Sequence, residues 1–330
     1  MNLMKTIQKF LSIPLILFGI ILTFLITPSF SQSGPLINEE ESMTRLSFTE
    51  EPQDKVDTPY LETEDGIQVV LWNLYRFNNM KRGDRESEEP LNKEIMGKVE
   101  EADFLLFQEL KWDVETDKKR LIDEYLPVEE FFLLGYSYPI KLDYSNFVEN
   151  RKGLGIGLLS KIAPSTTWEK RTHKPERTGD FLDGQLLGPR RYKNALAATY
   201  PFRDQSGEAK EILVLNLHNL VSRSTHTQNF LIDWSISLIS SHDGPVIFGG
   251  DFNTWSFIGT DINALLTRTK KVGLKKVSFK SPVSLMSGGV QVQLDHLFYK
   301  GLTLDEESIR VFNKTNLSDH PPVSVTFKVP

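Results

Sequence analysis

Polar side chains that could act on phosphate esters follow short apolar runs at several widely separated places in the chain. The positions that share this feature are Asn73, Gln108, Glu109, His218, Asp251, Asn253, Asp295, Asp319 and His320. Oxygen ligands, a few histidines and no cysteine form the donor set that Mg²⁺, Mn²⁺ or Ca²⁺ accepts. The pattern therefore indicates metal-assisted chemistry on a phosphate group.

Cleavage of a phosphate ester by in-line attack of water has three chemical requirements. A cation neutralises charge on the phosphoryl oxygens, a carboxylate readies the water, and a proton or positive charge lies near the leaving oxygen. An imidazole serves near neutral pH when a carboxylate fixes its tautomer and raises its pKa. The chain offers residues for each requirement, and it has no P-loop lysine pattern, zinc-type histidine spacing or Gly-x-Ser-x-Gly elbow for other chemistries.

Taken singly, these residues also have structural explanations. Asn73 could end a strand, and Asp251 and Asn253 bracket a turn in which both residue types are favoured by conformation. Asp295 is harder to explain in this way, because an unpaired carboxylate inside an apolar run costs several kcal/mol.

Apolar runs alternate with helical patterns along most of the chain, which predicts an α/β protein. The predicted strands are Ile67–Trp72, Phe104–Phe107, Gly155–Leu159, Ala195–Tyr200, Ile212–Leu217, Val246–Phe248, Val292–Tyr299 and Val323–Lys328. The predicted helices are Leu91–Glu101, Thr116–Tyr125, Thr225–Ser240 and Asp261–Thr269. Continuous apolar strands indicate sheets buried on both faces, so the polar strand ends should gather along one exposed rim.

Residues 1–31 have the pattern of an export signal or a membrane anchor. Lys5 and Lys9 precede the apolar stretch Phe10–Ile26, and small residues follow it. The stretch reaches the lower edge of the ~17–25 residues that span a bilayer, so a tether through residues 10–26 stays open beside cleavage. We expect an extracytoplasmic protein, and the absence of cysteine favours a bacterial periplasm, envelope or secreted setting.

Residues 32–65 are predicted to form a flexible acidic linker, because they are rich in acids and poor in apolar side chains. Residues 1–65 hold four of the 38 Lys and Arg residues and ten of the 44 Asp and Glu residues, which leaves 34 of each sign in the predicted domain, 66–330. A neutral domain lacks the overall basic charge of a dedicated nucleic-acid-binding protein. Local basic segments remain at Arg151–Lys152, Arg190–Lys193 and Arg268–Lys276.

Seven motifs in these runs resemble, in order, those of the endonuclease/exonuclease/phosphatase superfamily. They are Leu71-Trp72-Asn73, Phe107-Gln108-Glu109, Gly155-Ile156-Gly157-Leu158-Leu159-Ser160-Lys161, Asn216-Leu217-His218, Gly249-Gly250-Asp251-Phe252-Asn253, Leu294-Asp295-His296-Leu297-Phe298 and Ser318-Asp319-His320. The superfamily includes deoxyribonuclease-like and abasic-site endonucleases, exonuclease III, neutral sphingomyelinases and inositol polyphosphate 5-phosphatases. The resemblance implies a four-layer α/β (α+β) sandwich, in which helices flank two mixed β-sheets and the site lies at one end.

The resemblance also implies which residues bind metal and substrate. Glu109 matches the principal ligand of Mg²⁺ or Mn²⁺, with Ca²⁺ as a further candidate, and Asn73 and Asp319 match its neighbours. Asn253 and Asn73 match residues that contact the phosphoryl group. Tyr192 and Asn194 match two further phosphate contacts.

Catalytic roles follow from the same resemblance. Asp251 matches the residue that orients or deprotonates the attacking water. His320 matches the histidine that stabilises the charged transition state, and Asp295 matches the acid that orients it. His218 matches a second histidine that binds phosphate or donates a proton. His296 is expected to point to the opposite face of the strand from Asp295 and to have a structural role.

Together these patterns predict an exported, monomeric phosphodiesterase of the endonuclease type that depends on a divalent metal and acts on nucleic acid. A lipid phosphodiesterase resembling sphingomyelinase or phospholipase C, acting on a phospholipid, and a phosphomonoesterase are the alternatives within the enzyme class. An inactive family member that acts as a binding module is the alternative outside it. That last hypothesis predicts the loss of a catalytic residue, and the motifs contain each one.

Overall fold

Two six-stranded β-sheets form the centre of the protein. The computed structural model describes residues 60–75, 79–80, 89–113, 125–127, 131–136, 152–172, 176–177, 190–191, 193–219, 225–254, 261–280, 284–285 and 291–329. Contacts divide the chain between Ser42 and Met43, and every described residue belongs to the second of the two units.

The described strands and helices follow the alternation expected from the apolar runs. The strands are β1 (Ile67–Asn73), β2 (Phe104–Asp113), β3 (Phe131–Tyr136), β4 (Lys152–Ser160), β5 (Thr166–Arg171), β6 (Glu176–Arg177), β7 (Arg190–Arg191), β8 (Asn194–Arg203), β9 (Ala209–His218), β10 (Val246–Asp251), β11 (Lys275–Lys276), β12 (Ser284–Leu285), β13 (Gln291–Val292), β14 (Asp295–Lys300), β15 (Thr303–Val311) and β16 (Val323–Lys328). The helices are α1 (Pro90–Glu101), α2 (Thr225–Ser240) and α3 (Ile262–Lys271).

Both large sheets are mixed, and each contains a parallel pair joined through a helix. The first sheet has the order β15-β16-β1-β2-β4-β3, and the second has the order β11-β14-β10-β9-β8-β5. Strands β1 and β2 run parallel with α1 between them in the chain, and β9 and β10 run parallel with α2 between them. Parallel neighbours need such a crossover, and they end at the same edge of their sheet.

The apolar residues separate into an inner layer and two outer layers. The inner layer contains residues of both sheets, such as Leu106 of β2 and Val214 of β9. One outer layer joins the first sheet to α1 through Val99, and the other joins the second sheet to α2 and α3 through Leu231 and Leu265. The predicted four-layer sandwich is therefore confirmed.

The helices begin where the sequence provides capping groups. Glu89 accepts a hydrogen bond of 2.7 Å from the Asn92 backbone amide, and Pro90 fills the first turn of α1. Asp261 accepts one of 2.9 Å from Asn263 at the start of α3. Of the predicted helix 116–125, only Tyr125 is described, and it lies in a turn.

Each predicted strand is present, but one differs in its details. The predicted strand Val292–Tyr299 is divided into β13 and β14, so that Asp295 is the first residue of β14 rather than an interior residue. This position brings its carboxylate to the end of the sandwich, where it meets a histidine.

Ordered contacts with the domain begin before residue 66, which corrects the predicted end of the linker. Leu61 is buried, and its backbone amide donates to the Pro201 carbonyl at 2.9 Å. Leu61 also forms an isolated parallel β-bridge with Phe202 of β8. The Arg203 guanidinium lies 4.0 Å from the centre of the Tyr60 ring. Leu61 alone of this segment is buried in the core, and it attaches the acidic residues around it to the domain. The remainder of the predicted linker, 32–59, lies outside the described residues.

Across the described residues, no helix has the length and apolar character required to span a bilayer. The predicted signal or anchor, 1–31, lies outside the described residues, so its assignment stays a prediction.

Candidate functional site

Strand register brings the predicted site residues to one end of the sandwich. Asn73, the last residue of β1, pairs with Gln108 of β2 in the first sheet. In the second sheet Asp251, the last residue of β10, pairs with His218 of β9 on one side and Asp295 of β14 on the other. The carboxyl ends of both parallel pairs therefore carry the polar side chains, and the short segment before β16 adds Asp319 and His320.

Most of these side chains are buried, which corrects the expectation of an exposed rim. The exposed fraction is 3% for Asn73, Asp251 and Asp295, 4% for His218, 6% for Asn253 and 9% for His320. Glu109 and Asp319 are half-buried. Buried polar groups must be hydrogen-bonded or paired to be tolerated, so the contacts of this site determine its charge states.

Asp295 and His320 form a buried acid–imidazole pair. The Nδ1 atom of His320 lies 2.7 Å from Oδ2 of Asp295. Burial alone would lower the pKa of His320, but the negative charge of Asp295 and the hydrogen bond outweigh burial and raise the pKa to about 10. His320 is therefore an imidazolium near neutral pH, in which both ring nitrogens are donors.

The Asp251 carboxylate is held by three neighbours from different elements. Its Oδ2 accepts from Nδ2 of Asn73 at 3.2 Å and lies 3.6 Å from Nε2 of His218. Its Oδ1 accepts from the Asn253 backbone amide at 2.9 Å. Burial raises the pKa of Asp251 to about 6, and the negative charge of Asp295 acts in the same direction.

Two glycines make room for the strand that carries Asp251. A Cβ atom on Gly249 would lie 2.7 Å from Cδ1 of Leu106 in the other sheet. Gly250 has a φ of 149°, and a Cβ atom there would lie 1.9 Å from the Leu217 carbonyl oxygen. A larger residue at position 249 would push the two sheets apart, and one at position 250 would collide with the backbone of the neighbouring strand β9 in the same sheet.

Two site residues lie in the left-handed region of backbone space, where side chains are uncommon. Glu109 has a φ of 51° and occupies a register shift between Gln108 and Leu110 in the pairing of β2 with β4. Asn253 has a φ of 50°, and its side-chain Nδ2 atom donates to the Asn219 backbone carbonyl at 2.8 Å. Strained positions of this kind concentrate at functional sites.

Hydrogen bonds from β1 hold the segment that carries His320. The Ser318 hydroxyl donates to the Asn73 carbonyl at 2.6 Å and accepts from the His320 backbone amide at 3.1 Å. The Trp72 indole donates to the His320 carbonyl at 3.1 Å. These contacts place the imidazole against Asp295, although 25 residues separate the two in the chain.

Two groups of acids could hold a cation, and they differ in burial. Asp251, Asp295 and His320 offer ligand atoms that lie within 4.8 Å of one another, but the hydrogen bond to Asp295 already occupies Nδ1 of His320. Glu109 and Asp319 form the other group. Burial raises the pKa of Asp319, and the negative charge of Glu109 acts in the same direction. Half-buried carboxylates that repel each other fit a hard divalent cation, so these two residues fit the metal role that the resemblance implies. The Asn73 side chain, the third predicted ligand, donates to Asp251 and accepts from the Tyr75 backbone amide.

Lys193 ends the basic segment Arg190–Lys193 noted in the sequence, and the structure places it beside the predicted site residues. Its side chain is buried, and its Nζ atom contacts Nε2 of His218. It lies next to the start of β8, the strand antiparallel to β9, at the same end of the second sheet as His218. The sequence feature that indicates this residue is its place at the end of a basic segment, just before the predicted strand Ala195–Tyr200. The next predicted strand along the chain ends at His218.

The other predicted phosphate contacts differ in outcome. Tyr192 lies outside the described residues. The amide of Asn194 is fully buried and donates to Glu169 of β5 at 2.6 Å. This contact supports the pairing of β5 with β8, and the contact of Asn194 with substrate stays a prediction. His296 packs against Phe252 and Phe298, as its predicted structural role requires.

The basic segment Arg268–Lys276 lies away from these residues. Arg268 pairs with Asp233 at 2.7 Å, and Lys275 and Lys276 pair with β14 at Tyr299 and Phe298, beyond Asp295 along the strand. Lysines on a short edge strand also protect a sheet against association.

Two comparisons of the sequence with known proteins found relatives. The family model described as "Endonuclease/Exonuclease/phosphatase family" matches residues 70–320. A UPF0294 protein of Yersinia pseudotuberculosis is 36% identical over 137 residues, which are 41% of this chain and 48% of the relative, so the match spans about half of that curated protein.

Solved structures support the fold. An endonuclease/exonuclease/phosphatase from Beutenbergia cavernae aligns with a TM-score of 0.53 at 14% identity over 80% of this chain and 71% of its own. A family protein from Leptotrichia buccalis aligns with a TM-score of 0.53 at 14% identity over 79% of this chain and 99% of its own. At this identity the likeness concerns the fold alone.

Replacing Asp295 by asparagine should lower the pKa of His320. The variant keeps a hydrogen-bond acceptor but removes the negative charge, so the pKa should fall from about 10 toward the ~6.5 of an unperturbed histidine. An NMR pH titration of the histidine rings in EDTA, with the His320 signal assigned from His320→Gln, measures this shift. The exposed control Glu306→Gln should leave the pKa unchanged. An equal His320 pKa in Asp295→Asn and the wild type would contradict the pairing.

Proposed function

Because the chain belongs to the endonuclease/exonuclease/phosphatase family, we propose that it is a divalent-metal-dependent phosphodiesterase of the nuclease type. Members of this family are typically hydrolases of phosphate esters, and they commonly use divalent metals. The observation that carries the proposal is the buried arrangement of Asp251 opposite the Asp295–His320 pair. It places a carboxylate and an imidazolium side by side in a site of low water content.

Asp251 is the proposed base that orients and deprotonates the attacking water. Its pKa of about 6 lies close to the working pH, where a general base is most efficient. The Asn73 amide and the Asn253 backbone amide each donate to one of its oxygens, which fixes the direction in which the carboxylate faces. Orientation of this kind lowers the entropic cost of reaching the transition state.

His320 is the proposed stabiliser of the negative charge that develops on the phosphoryl oxygens. With a pKa of about 10 it carries a proton throughout the neutral range, so it does not act as a base there. A fixed positive donor in a buried site interacts more strongly with developing charge than the same group does in water. Asp295 keeps the ring in one orientation, and we assign it to positioning.

Lys193 and His218 form the proposed contact on the other side of Asp251. The ammonium of Lys193 contacts the His218 ring, which itself lies 3.6 Å from Asp251. A lysine in this place supplies positive charge for a non-bridging or leaving oxygen of the substrate. Asn253, beside Asp251, remains the proposed amide contact to the phosphoryl group.

Glu109 and Asp319, with Asn73, would hold Mg²⁺ or Mn²⁺. When bound there, such an ion supplies positive charge that neutralises the phosphoryl oxygens. The half-burial of the two carboxylates leaves room for the water ligands that Mg²⁺ usually keeps. Ca²⁺, which takes the same oxygen donors, is the further candidate.

A nucleic-acid substrate is proposed ahead of a phospholipid. Lys193 provides a cation inside the site, where it can contact a phosphate of the substrate, whereas the exposed Lys270, Lys271 and Lys275 lie away from the site. Cations that contact successive phosphates are the usual basis of binding to nucleic-acid backbones. A lipid substrate would instead draw on the apolar stretch at residues 10–26, which lies outside the described residues.

A side-by-side hydrolysis assay tests the proposed activity. The full chain, purified in mild detergent, is incubated with plasmid DNA, RNA or sphingomyelin in the presence of Mg²⁺, Mn²⁺ or EDTA. We expect cleavage of nucleic acid that requires the metal and stops in EDTA. Release of phosphocholine with nucleic acid intact would move the activity to lipids, and no hydrolysis with any metal would favour a binding module.

Asparagine in place of Asp251 should abolish turnover while the fold survives. The isosteric side chain keeps the buried volume, which matters because alanine would leave a cavity, but it removes the base, so we expect a loss of about 10²–10⁴-fold in kcat. Thermal unfolding checks the fold. Asp103→Asn is the matched control. Asp103 lies just before the start of β2, at the end away from the site, and its carboxylate accepts a hydrogen bond of 2.7 Å from the Gln68 backbone amide. Wild-type activity in Asp251→Asn would refute the mechanism.

Export is the second part of the proposal, and it rests on the pattern of Lys5, Lys9 and Phe10–Ile26. Fractionation of bacteria that express the full chain, followed by mass determination, tests it. We expect the protein in the envelope or medium, shortened near residue 31 if a peptidase cleaves it and intact if the stretch anchors it. Recovery with the cytoplasmic marker would overturn export and leave the enzymatic proposal unaffected.

A further inference from the structure

Two amide side chains meet inside the otherwise apolar layer between the sheets. Gln108 belongs to β2 of the first sheet and Asn216 to β9 of the second, and both are fully buried. The Nε2 atom of Gln108 donates to Oδ1 of Asn216 at 2.6 Å. Apolar residues of both sheets form this layer around the pair. The two amides therefore meet in a region of low dielectric, where hydrogen bonds are strong.

The same two amides also bind the backbone of the first sheet. Nδ2 of Asn216 donates to the Phe107 carbonyl at 2.9 Å and to the Gly157 carbonyl at 2.8 Å. Nε2 of Gln108 donates further to the Leu106 carbonyl at 3.0 Å. One residue of the second sheet therefore holds β2 and β4 together at the level of the site. We call these two residues and their hydrogen bonds the Gln108–Asn216 clip.

The clip lies directly beside the irregular part of β2. Glu109 follows Gln108, has a left-handed backbone and accounts for the register shift between β2 and β4. A bulge turns a side chain in a new direction, and it persists only where the surroundings hold it. Asn216 lies two residues before His218 on β9, so their side chains share one face of the strand.

From these contacts we propose that Gln108 and Asn216 are positioning residues that hold the Glu109 bulge of the first sheet at a fixed place relative to His218 and Asp251 of the second. The proposal rests on the proposed function, in which Glu109 binds the metal. Without the clip the bulge is free to relax toward regular β structure, which would turn the Glu109 carboxylate away from Asp319. Neither amide touches the substrate in this scheme.

Hydrogen exchange tests the local part of the proposal without reference to activity. In Gln108→Met, which conserves volume, the full chain should exchange its backbone amides about tenfold faster in a peptide that covers residues 104–113. The control is Val214→Ala, two residues before Asn216 on β9 and in the same apolar layer. It should accelerate exchange across the whole domain without singling out this peptide. If Gln108→Met does not fold, Gln108→Asn, whose shorter amide cannot reach Asn216, replaces it.

Metal binding tests the functional part. Stabilisation of the full chain by Mn²⁺, followed as the rise in Tm over a metal titration, gives the half-saturating concentration. We expect Gln108→Met and Asn216→Leu to raise this concentration about 10–100-fold, as loss of an outer hydrogen bond to a metal site does, while Val214→Ala leaves it unchanged.

The two measurements separate failure of this proposal from failure of the proposed function. Exchange in residues 104–113 that matches the Val214→Ala control, or an unchanged Mn²⁺ half-saturation in both clip variants, would show that the clip serves stability alone. A wild-type chain that Mn²⁺ does not stabilise and that hydrolyses no phosphodiester would refute the proposed function, whereas the exchange result would still decide whether the clip holds the bulge.

Discussion

Two buried carboxylates stand opposite each other on neighbouring strands, and the rest of the site is arranged around their repulsion. Asp251 and Asp295 are paired in register, and each is only 3% exposed. Two like charges in such a place cannot both persist unless nearby cations and dipoles offset them. The His320 imidazolium binds Asp295, while the Lys193 charge and two amide donors act on Asp251. The two acids therefore have different surroundings, as the roles proposed for Asp295 in positioning and for Asp251 as a base require.

The sandwich provides this arrangement because of its connectivity. In each sheet a helix joins a parallel pair, so that β1 and β2, like β9 and β10, end at the same edge. Face-to-face packing then brings the two edges together, and small residues such as Gly249 let them approach. Backbone strain is concentrated where the edges meet. Glu109 of the first sheet has a left-handed backbone, and so does Asn253, two residues after Asp251 at the end of β10.

The sequence revealed the site residues better than it revealed their surroundings. Asp295 and His320 were predictable because an acid beside an apolar run and a Ser-Asp-His motif are local features. The contact of Lys193 with His218 and the Gln108–Asn216 clip depend on which strands become neighbours, and spacing along the chain does not contain that information. Strand β15, Thr303–Val311, escaped prediction because its edge position tolerates charged residues that interrupt the alternation. The sequence also contained no sign that the site residues would be buried, because strand ends are exposed only when no second sheet covers them.

The charges of the site, taken together, favour the proposed binding of a divalent cation. Asp251, Asp295, Glu109 and Asp319 are acidic, whereas His320 and Lys193 supply the positive charges that the described residues place among them. The balance is about two negative charges, which would repel a phosphodiester that carries another. A divalent ion held by the half-buried acids would remove this excess, and Asp251 would remain available for its proposed role as a base. Binding of metal and binding of substrate should then be coupled, because each lowers the electrostatic cost of the other.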